Sequence, residues 1–279
     1  LVHVHNMPDA LVFAAAVSKM NGARLILDLH DPMPELMSTI YGLEPDHWLV
    51  ALLRRVERWS IGFADHVLTP NIAFRDLFVS RSCPPDKIDI VMNSPRQDIF
   101  DPDRLGSGAK APSEEFRIMH HGSIVERHGV DLLVGAVARV RTTIPGVHLD
   151  IFGAHTPFLD RVLEIAHAQG VGDRVHYHGP KDQLEITDAI RTCDIGVVPN
   201  RRSSFTETNF PTRLFEYLSM HRPVIAPPTR GILDYFGPDQ MLFFEPDNVE
   251  DLAARLIWAH DHPDEVQQVV HAGIEVYRH

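Results

Sequence analysis

Short apolar runs alternate with longer stretches of helical periodicity along the first third of the chain. Such alternation is typical of βαβ units, which build a parallel sheet. Each apolar run therefore predicts a strand, and each periodic stretch predicts a helix. The predicted elements are strands at Leu1 to His5, Arg24 to Leu29, Asp65 to Thr69 and Ile88 to Met92, and helices at about Ala10 to Met20, at His47 to Phe63 and from Ile72.

The alternation stops near residue 100 and restarts after residue 115. The stretch between, 101–112, is rich in Gly, Pro, Ser and charged residues and has no apolar periodicity, which is typical of a linker. The second series has strands at Phe116 to His121, Val147 to Phe152, Arg174 to His178, Ile195 to Val198 and Pro223 to Ala226, with helices at Gly129 to Arg141, Phe158 to Gln169 and around Arg213 to Met220.

This order predicts an α/β protein with two Rossmann-like, doubly wound parallel-sheet domains. We place the N-terminal domain at 1–105, the linker at 106–114 and the C-terminal domain at 115–279. The chain starts without Met in an apparent strand and stops in an apparent helix. We therefore expect a fragment whose N-terminal domain is incomplete, and we expect the ligand site in the cleft between the domains, at carboxyl ends of strands.

Composition narrows the class of protein. The chain has 279 residues, is 44% hydrophobic and carries a net charge of -12, which argues against a nucleic-acid binder. Its two cysteines, Cys83 and Cys193, are too far apart to indicate a disulfide framework or a metal cluster. No apolar run reaches the length of a membrane span and no signal peptide is evident, so we expect a soluble, cytoplasmic protein.

The histidines invite a metal hypothesis. His3 and His5 share one face of a predicted strand, and Asp28, His30 and Asp31 follow the next strand, as in some metal hydrolases. No further cluster of carboxylates and histidines follows downstream to complete a coordination shell. We therefore interpret most histidines as surface or hydrogen-bonded residues, and we expect no metal ion and no cofactor. His30, at a strand end, is a candidate for an active site, with buried packing as the alternative.

A strand, a turn of small residues and a helix follow one another at 120–133. Backbone N–H groups at a helix start are free and suit an anion such as a diphosphate. Gly122 would permit close approach, and Arg127, with His128 if it is protonated, would add charge-assisted hydrogen bonds. A Gly-Ser turn before a helix is also ordinary loop chemistry, so this segment alone is weak evidence.

A second polar segment, 207–226, leads into a strand that begins with proline. Asn209 and Thr212 are predicted helix caps, and Pro211 suits a first helical turn. Arg213 and Glu216 lie three apart and so share one face of the helix. The cation could meet a phosphate and the carboxylate a pair of ribose hydroxyls. The alternative is an exposed ion pair worth about 0.2–0.5 kcal/mol.

Residues 207–226 resemble the donor-binding segment of the family 4 retaining glycosyltransferases, which have the two-domain GT-B fold. In that family a pair of glutamates precedes a strand of the Pro-Val-Ile-Ala type. The resemblance implies that Glu216 binds the nucleotide ribose and that backbone amides before it meet the donor phosphate and sugar. The first glutamate of the family pattern is replaced by Thr208, and Glu207 lies one position earlier. The residues that would bind the sugar hydroxyls therefore depart from the family pattern.

The resemblance extends along nearly the whole chain. The turn at Gly122 is similar to the family's phosphate-binding turn, although Ser123 and His128 replace its usual basic residues. His30 corresponds to the family's acceptor-side histidine. The resemblance implies His30, Arg213 and Glu216 as catalytic residues. The implied donor-binding residues are Gly122, Ser123, Arg127, His128, Glu207, Asn209, Phe210, Pro211, Thr212 and Leu214.

These observations predict transfer of a sugar from a nucleoside diphosphate sugar to a hydroxyl acceptor, with retention of anomeric configuration and without a metal. The expected partners are the nucleotide-sugar donor and a glycan, lipid-linked or small-molecule acceptor that the sequence does not identify. No nucleic acid is expected, and membrane association is left open. The alternatives are a nucleotide-sugar epimerase of the same fold and a non-catalytic module that binds a sugar nucleotide.

Overall fold

A computed structural model describes residues 1–102 and 115–278. Contacts divide the chain into two compact units. Unit 1 comprises Leu1–Asn93, Ser203–Phe210 and Thr229–Asp234, and unit 2 comprises Ser94–Arg202, Pro211–Pro228 and Tyr235–His279. The predicted linker at 106–114 lies outside the described residues, and the domain boundaries at 105 and 115 stay predictions.

Strands and helices alternate along the described residues. The strands are β1 (Val2–His5), β2 (Leu25–Asp28), β3 (His66–Thr69), β4 (Ile88–Ile90), β5 (Phe116–His121), β6 (Val147–Phe152), β7 (Val175–Tyr177), β8 (Ile195–Val197), β9 (Val224–Ala226) and β10 (Leu242–Phe243). The α-helices are α1 (Ala16–Met20), α2 (Met33–Tyr41), α3 (Trp48–Phe63), α4 (Ile72–Arg81), α5 (Val130–Val140), α6 (Pro157–Ala168), α7 (Gln183–Thr192), α8 (Arg213–Ser219), α9 (Arg230–Leu233), α10 (Val249–Asp261) and α11 (Pro263–Arg278). Among the described helices, none is long and apolar enough to cross a membrane.

Unit 1 is built on a parallel sheet in the order β1-β2-β3-β4. Leu25 and Leu27 point from β2 into a core completed by α-helical residues such as Phe74 and Phe78, all fully buried. The opposite face of β1 is exposed, because His3 and His5 alternate with the half-buried valines of the strand. This exposed face bears the histidines that the sequence singles out.

Unit 2 contains a parallel sheet in the order β10-β9-β8-β5-β6-β7. Counted from its own first strand, this is the 3-2-1-4-5-6 order of the Rossmann fold. The strand order reverses beside β5, which pairs with β6 on one side and β8 on the other. Ligands of such sheets bind at this switch point, outside the carboxyl ends of the strands.

The two parallel sheets confirm the predicted fold class, and most predicted elements lie within a few residues of the observed ones. The predicted helix at Ala10 to Met20 is a 3-10 segment, Asp9–Ala15, followed by the short helix α1. Strand β10 and helices α9 and α10 were not predicted, and neither were helices α2 and α7. Both carry local signals, since Gly42 closes α2 in a left-handed conformation and Asp182 with Glu185 forms a capping box at the start of α7.

Candidate functional site

The carboxyl end of β5 runs into a tightly packed turn whose backbone conformation strongly favours glycine. Gly122 has a φ of +113°, a region that residues with a Cβ rarely adopt. A Cβ at Gly122 would lie 3.1 Å from Nη1 of Arg213, and a Cβ at Gly153, after β6, would lie 2.1 Å from the Gly122 carbonyl oxygen. The absence of side chains at both positions therefore allows the turn, the next strand end and the Arg213 guanidinium to meet.

Arg213 is the first residue of α8, and its guanidinium reaches back to the end of β5. Nη1 donates a hydrogen bond to the His121 carbonyl oxygen at 2.7 Å and lies 3.4 Å from Nε2 of His120. Burial lowers the pKa of Arg213, and the charge of Glu216 opposes this shift. The alternative of an exposed Arg213–Glu216 ion pair does not hold, because the guanidinium is held at the strand end.

Three histidines around Arg213 are neutral. Burial, then the charge of Arg213, lowers the pKa of His121 to about 3, and the same two causes lower that of His128 to about 3. His120 is fully buried, its pKa is far below the ordinary value for the same reasons, and its Nδ1 donates to the Val197 carbonyl oxygen. His128 therefore does not supply the positive charge considered from the sequence. Its Nδ1–H instead donates a hydrogen bond to the Ser123 carbonyl oxygen at 2.6 Å, and this bond fixes the turn.

Glu216 brings a carboxylate to the same place. It lies one turn into α8, its side chain is 20% exposed, and its Oε2 lies 3.3 Å from Nε2 of His121. Burial raises the pKa of Glu216, and Arg213 counteracts this. Glu216 faces a pocket of about 350 Å³ at the carboxyl ends of β5, β6 and β7, lined by Phe100, His121, Gly122, Ser123, Phe152, Gly153, Ala154, Pro180, Lys181, Gln183, Ile186 and Glu216.

The start of α8 differs from the sequence-based expectation. Thr212 has helical dihedral angles and makes no side-chain capping bond. The Pro211 carbonyl oxygen already accepts from Leu214 N at 3.0 Å, so Pro211 lies in the first turn as predicted. The capping role of Thr212 is therefore wrong, because Thr212 is itself inside that turn. Asn209 donates its N–H to the Phe205 carbonyl oxygen and belongs to another turn.

The remaining residues of the predicted donor segment group with unit 1. Oε1 of Glu207 accepts from Arg230 N at 3.2 Å, and its carbonyl oxygen accepts from Gly231 N at 2.9 Å. A Cβ at Gly231 would lie 2.5 Å from the Asn209 carbonyl oxygen. Glu207, Asn209 and the buried Phe210 thus form a compact turn against α9. Within unit 2 the structure brings together Gly122, Ser123, Arg127, His128, Pro211, Thr212, Arg213, Leu214 and Glu216.

His30 follows β2 in unit 1, as expected for a residue at a strand end. Its backbone N donates to Oδ1 of Asn6 at 2.9 Å, and its side chain is 37% exposed, so the alternative of buried packing does not hold. Nε2 lies 3.0 Å from Nδ1 of His5 and 3.4 Å from Oδ2 of Asp28. His3 reaches the same Asp28 oxygen at 3.2 Å. The sequence suggested these residues as two groups at two successive strands, and the parallel register of β1 and β2 brings the groups together.

Several pocket residues were missed by the sequence-based reasoning. Lys181 borders the pocket from the segment between β7 and α7, Gln183 borders it as the first residue of α7, and Phe152 lines it from the end of β6. Their common signal is a position at or soon after the end of a predicted strand. That signal does not say which of several strand ends face one pocket, because the strand order decides this.

Comparisons with known proteins agree with this architecture. The profile of the family described as "Glycosyl transferases group 1" matches residues 115–262, and that of the "Glycosyl transferase 4-like domain" matches residues 1–94. A Bacillus subtilis (strain 168) protein named "Putative teichuronic acid biosynthesis glycosyltransferase TuaH" is 35% identical over 52 residues, which span 19% of this chain and 13% of that protein.

Solved structures share the fold at low identity. Anabaena Alr3699/HepE in complex with UDP has a TM-score of 0.78 at 16% identity, covering 99% of this chain and 73% of that one. Sucrose-phosphate synthase (tll1590) from Thermosynechococcus elongatus has a TM-score of 0.79 at 17% identity, covering 99% and 68%. WaaG, a glycosyltransferase involved in lipopolysaccharide biosynthesis, has a TM-score of 0.75 at 13% identity, covering 96% and 77%.

The first of these family profiles alone matches more than half of the chain, and it covers all the strands of unit 2 and the pocket residues from His121 to Glu216. The two profiles together account for both sheets in the order in which the chain forms them. The chain therefore belongs to the group 1 glycosyl transferases.

Proposed function

We propose that the chain transfers a glycosyl group from a nucleoside diphosphate sugar to a hydroxyl acceptor, with retention of anomeric configuration. The observation that carries this proposal is the juxtaposition at the end of β5. There the Arg213 guanidinium lies against Gly122, and the Glu216 carboxylate faces the pocket one helical turn away. A cation and a carboxylate so placed match the diphosphate and the ribose of a sugar nucleotide.

The diphosphate would lie on the turn at Gly122 and Ser123. Backbone N–H groups of a turn before a helix bind anions, and Arg213 adds a fixed cation beside them. Arg127 is close enough for its charge to lower the pKa values of both Arg213 and His128. As the bond to the sugar breaks, negative charge grows on the departing diphosphate, so preformed cations stabilise the transition state more than the ground state.

Glu216 would accept hydrogen bonds from the two ribose hydroxyls, since a carboxylate has two acceptor oxygens. Among the described residues that line the pocket, Glu216 is the only carboxylate. Mg²⁺ prefers oxygen ligands, commonly one or two carboxylates together with the phosphates of its substrate. Arg213 and Arg127 both lie near the proposed diphosphate site, and the one pocket carboxylate, Glu216, is assigned to the ribose. These two observations support a transfer in which arginine rather than a metal neutralises the diphosphate.

His30 would contact the donor sugar or the acceptor. This part of the proposal depends on the resemblance and on the position of His30 at the carboxyl end of β2, with its backbone held by Asn6 and its ring partly exposed. The variant His30→Ala should lower kcat while leaving the affinity for the nucleotide unchanged. A parallel loss of nucleotide affinity would remove His30 from the acceptor side.

Binding of the nucleotide is the direct test. UDP and UDP-glucose are the first ligands to try, because HepE, which shares the fold, has been solved with each. Calorimetry with Glu216→Gln should show a Kd at least tenfold higher, since one or two hydrogen bonds to a charged group are worth about 1.5–3 kcal/mol each. Glu250→Gln, which changes a surface carboxylate that is 72% exposed, is the matched control and should bind like the parent chain.

Product analysis distinguishes the reaction from its alternatives. Incubation with UDP-glucose and a panel of hydroxyl acceptors should give a glycoside whose anomeric proton coupling in NMR matches that of the donor. A free nucleotide sugar with an inverted ring carbon would identify an epimerase instead. Binding with neither transfer nor slow hydrolysis of the donor would indicate a non-catalytic module, and equal nucleotide affinity in the Glu216→Gln and Glu250→Gln chains would contradict the site.

A further inference from the structure

Three ligand-type side chains of unit 1, those of His3, His5 and Asp28, converge on the exposed face of its sheet. Nε2 of His3 and Nδ1 of His5 lie 3.2 and 3.3 Å from the same carboxylate oxygen, Oδ2 of Asp28. One possible ligand atom from each of the three residues lies within 4.8 Å of those of the other two. The geometry follows from the sheet, because residues i and i+2 of β1 share a face and His5 is in register with Asp28 of β2.

Hydrogen bonding alone accounts poorly for this arrangement. The Asp28 oxygen has two lone pairs, yet His3, His5 and His30 place a ring nitrogen 3.2, 3.3 and 3.4 Å from it. Four other histidine–aspartate contacts in the described chain are shorter. Their separations are 2.9 Å for His66–Asp89, 2.8 Å for His155–Asp160, 2.6 Å for His178–Asp150 and 2.7 Å for His260–Asp261.

The longer separations fit ligands that share one cation. Bonds of about 2.0–2.1 Å from a tetrahedral Zn²⁺ to nitrogen and oxygen put neighbouring ligand atoms roughly 3.3–3.4 Å apart. The two distances to Asp28 are within about 0.2 Å of that edge. We propose that His3, His5 and Asp28 form a binding site for a divalent transition-metal ion of the zinc type. This revises our sequence-based expectation that the chain holds no metal.

The donor set defines the class of ion. Two imidazoles and one carboxylate suit Zn²⁺ and its first-row neighbours, whereas Mg²⁺ and Ca²⁺ require mostly oxygen ligands. Three protein ligands leave at least one coordination position open, as in zinc sites that take a water or a substrate oxygen. Both imidazoles are accessible to an ion from solvent, with side chains 41% and 60% exposed at His3 and His5. Nε2 of His30 lies 3.0 Å from Nδ1 of His5.

Metal titration of the chain tests the site directly. After chelator treatment and dialysis, calorimetry with ZnCl₂ in a buffer containing MgCl₂ should show one tight, stoichiometric event per chain. The variants His3→Ala and Asp28→Asn should each weaken this event at least tenfold, and His5→Gln should do the same. The matched control is His66→Ala, which removes a histidine paired with one aspartate on the same sheet and should leave the tight event unchanged.

The outcomes separate the site from background. A tight event that survives in both His3→Ala and Asp28→Asn overturns the proposal, as does a parent chain that shows only weak binding spread over its 18 histidines. Circular dichroism without metal checks that each variant folds, and a zinc-dependent rise in Tm of the parent chain gives a reading that needs no variant. The chain with Glu216→Gln should keep its zinc affinity, so failure of the nucleotide site would leave this result intact.

Discussion

Replacing Gly122 by alanine adds a single heavy atom, the Cβ, to the proposed diphosphate site. The new Cβ would lie 3.1 Å from Nη1 of Arg213, so the guanidinium must move by some tenths of an ångström. The backbone must also hold a non-glycine residue at a φ of +113°, which costs on the order of 1–3 kcal/mol. For a domain of this size that cost corresponds to a fall in Tm of roughly 2–12 °C.

The larger effect should be on nucleotide binding. If the displaced guanidinium loses one charge-assisted hydrogen bond to the diphosphate, the binding free energy falls by about 1.5–3 kcal/mol. That loss raises the Kd for UDP by roughly tenfold to 150-fold. Calorimetry with UDP measures the affinity, and a thermal melt without ligand measures the stability of the same preparation.

Gly170 offers a matched control in the same unit. It also has a positive φ, +68°, and a Cβ there would also lie 3.1 Å from an arginine Nη1, that of Arg141. Gly170 does not line the pocket. Gly170→Ala should therefore lose stability but keep its UDP affinity. If Gly122→Ala and Gly170→Ala bind UDP equally well, the guanidinium of Arg213 does not hold the diphosphate and the reasoning is refuted.

Three further predictions concern stability, measured by urea unfolding. The pKa of His121 is about 3 in the folded chain against 6.5 in the unfolded chain. The stability that depends on neutral His121 is therefore fully present above pH 6.5 and is lost as the pH falls towards 3. At pH 5 the loss is about 2 kcal/mol, and His121→Gln should reduce the pH dependence by that amount; an unchanged profile would contradict it. Glu57→Gln removes the fully buried carboxylate of the Glu57–Arg81 ion pair and should cost about 3 kcal/mol of stability. Asp98→Asn, in a pair that is mostly exposed, should change stability by under about 0.5 kcal/mol, and equal effects of the two variants would be inconsistent with the difference in burial. Thr156→Ala removes the side-chain cap of α6 and should cost about 1 kcal/mol of stability. Thr212→Ala removes no capping hydrogen bond and should cost less than about half of that. A larger loss of stability in Thr212→Ala than in Thr156→Ala would show that the helix starts are wrongly assigned.

The zinc proposal and the nucleotide proposal make separate demands on the chain. One depends on His3, His5 and Asp28 on the exposed face of β1 and β2, and the other on Arg213 and Glu216 at the start of α8. Zinc binding is measured by a titration without any nucleotide sugar, and nucleotide binding is measured by a titration without metal. Each can therefore succeed or fail alone.

Local pattern determined most of the secondary structure and the fold class. The strand β5 was predicted at its observed ends, because the six residues FRIMHH, mostly apolar or histidine, lie between a polar linker and a glycine turn. The alternation of such runs with helical periodicity is a property of neighbouring residues, and it is sufficient to predict parallel sheets. The family could be inferred from short segments, such as 207–226, that occur along the chain in the same order as in the family.

The local chemistry of the site depended on contacts that the sequence does not contain. His128 carries no charge, because it is buried near the charge of Arg213, a residue that lies 85 positions later in the chain. Thr212 has the right type for a cap, but the turn at Pro211 already places it inside the helix. Desolvation and backbone geometry decide such questions, and neither can be evaluated from residue type.

The sequence by itself determined that this chain forms two parallel sheets and that Arg213 and Glu216 share one helix face. Only the tertiary structure decided that Arg213 meets Gly122 and that ligand atoms of His3, His5 and Asp28 lie within 4.8 Å of one another. The physical reason is that helix and strand periodicity is set by neighbours along the chain, whereas the meeting of distant residues is set by strand order and register.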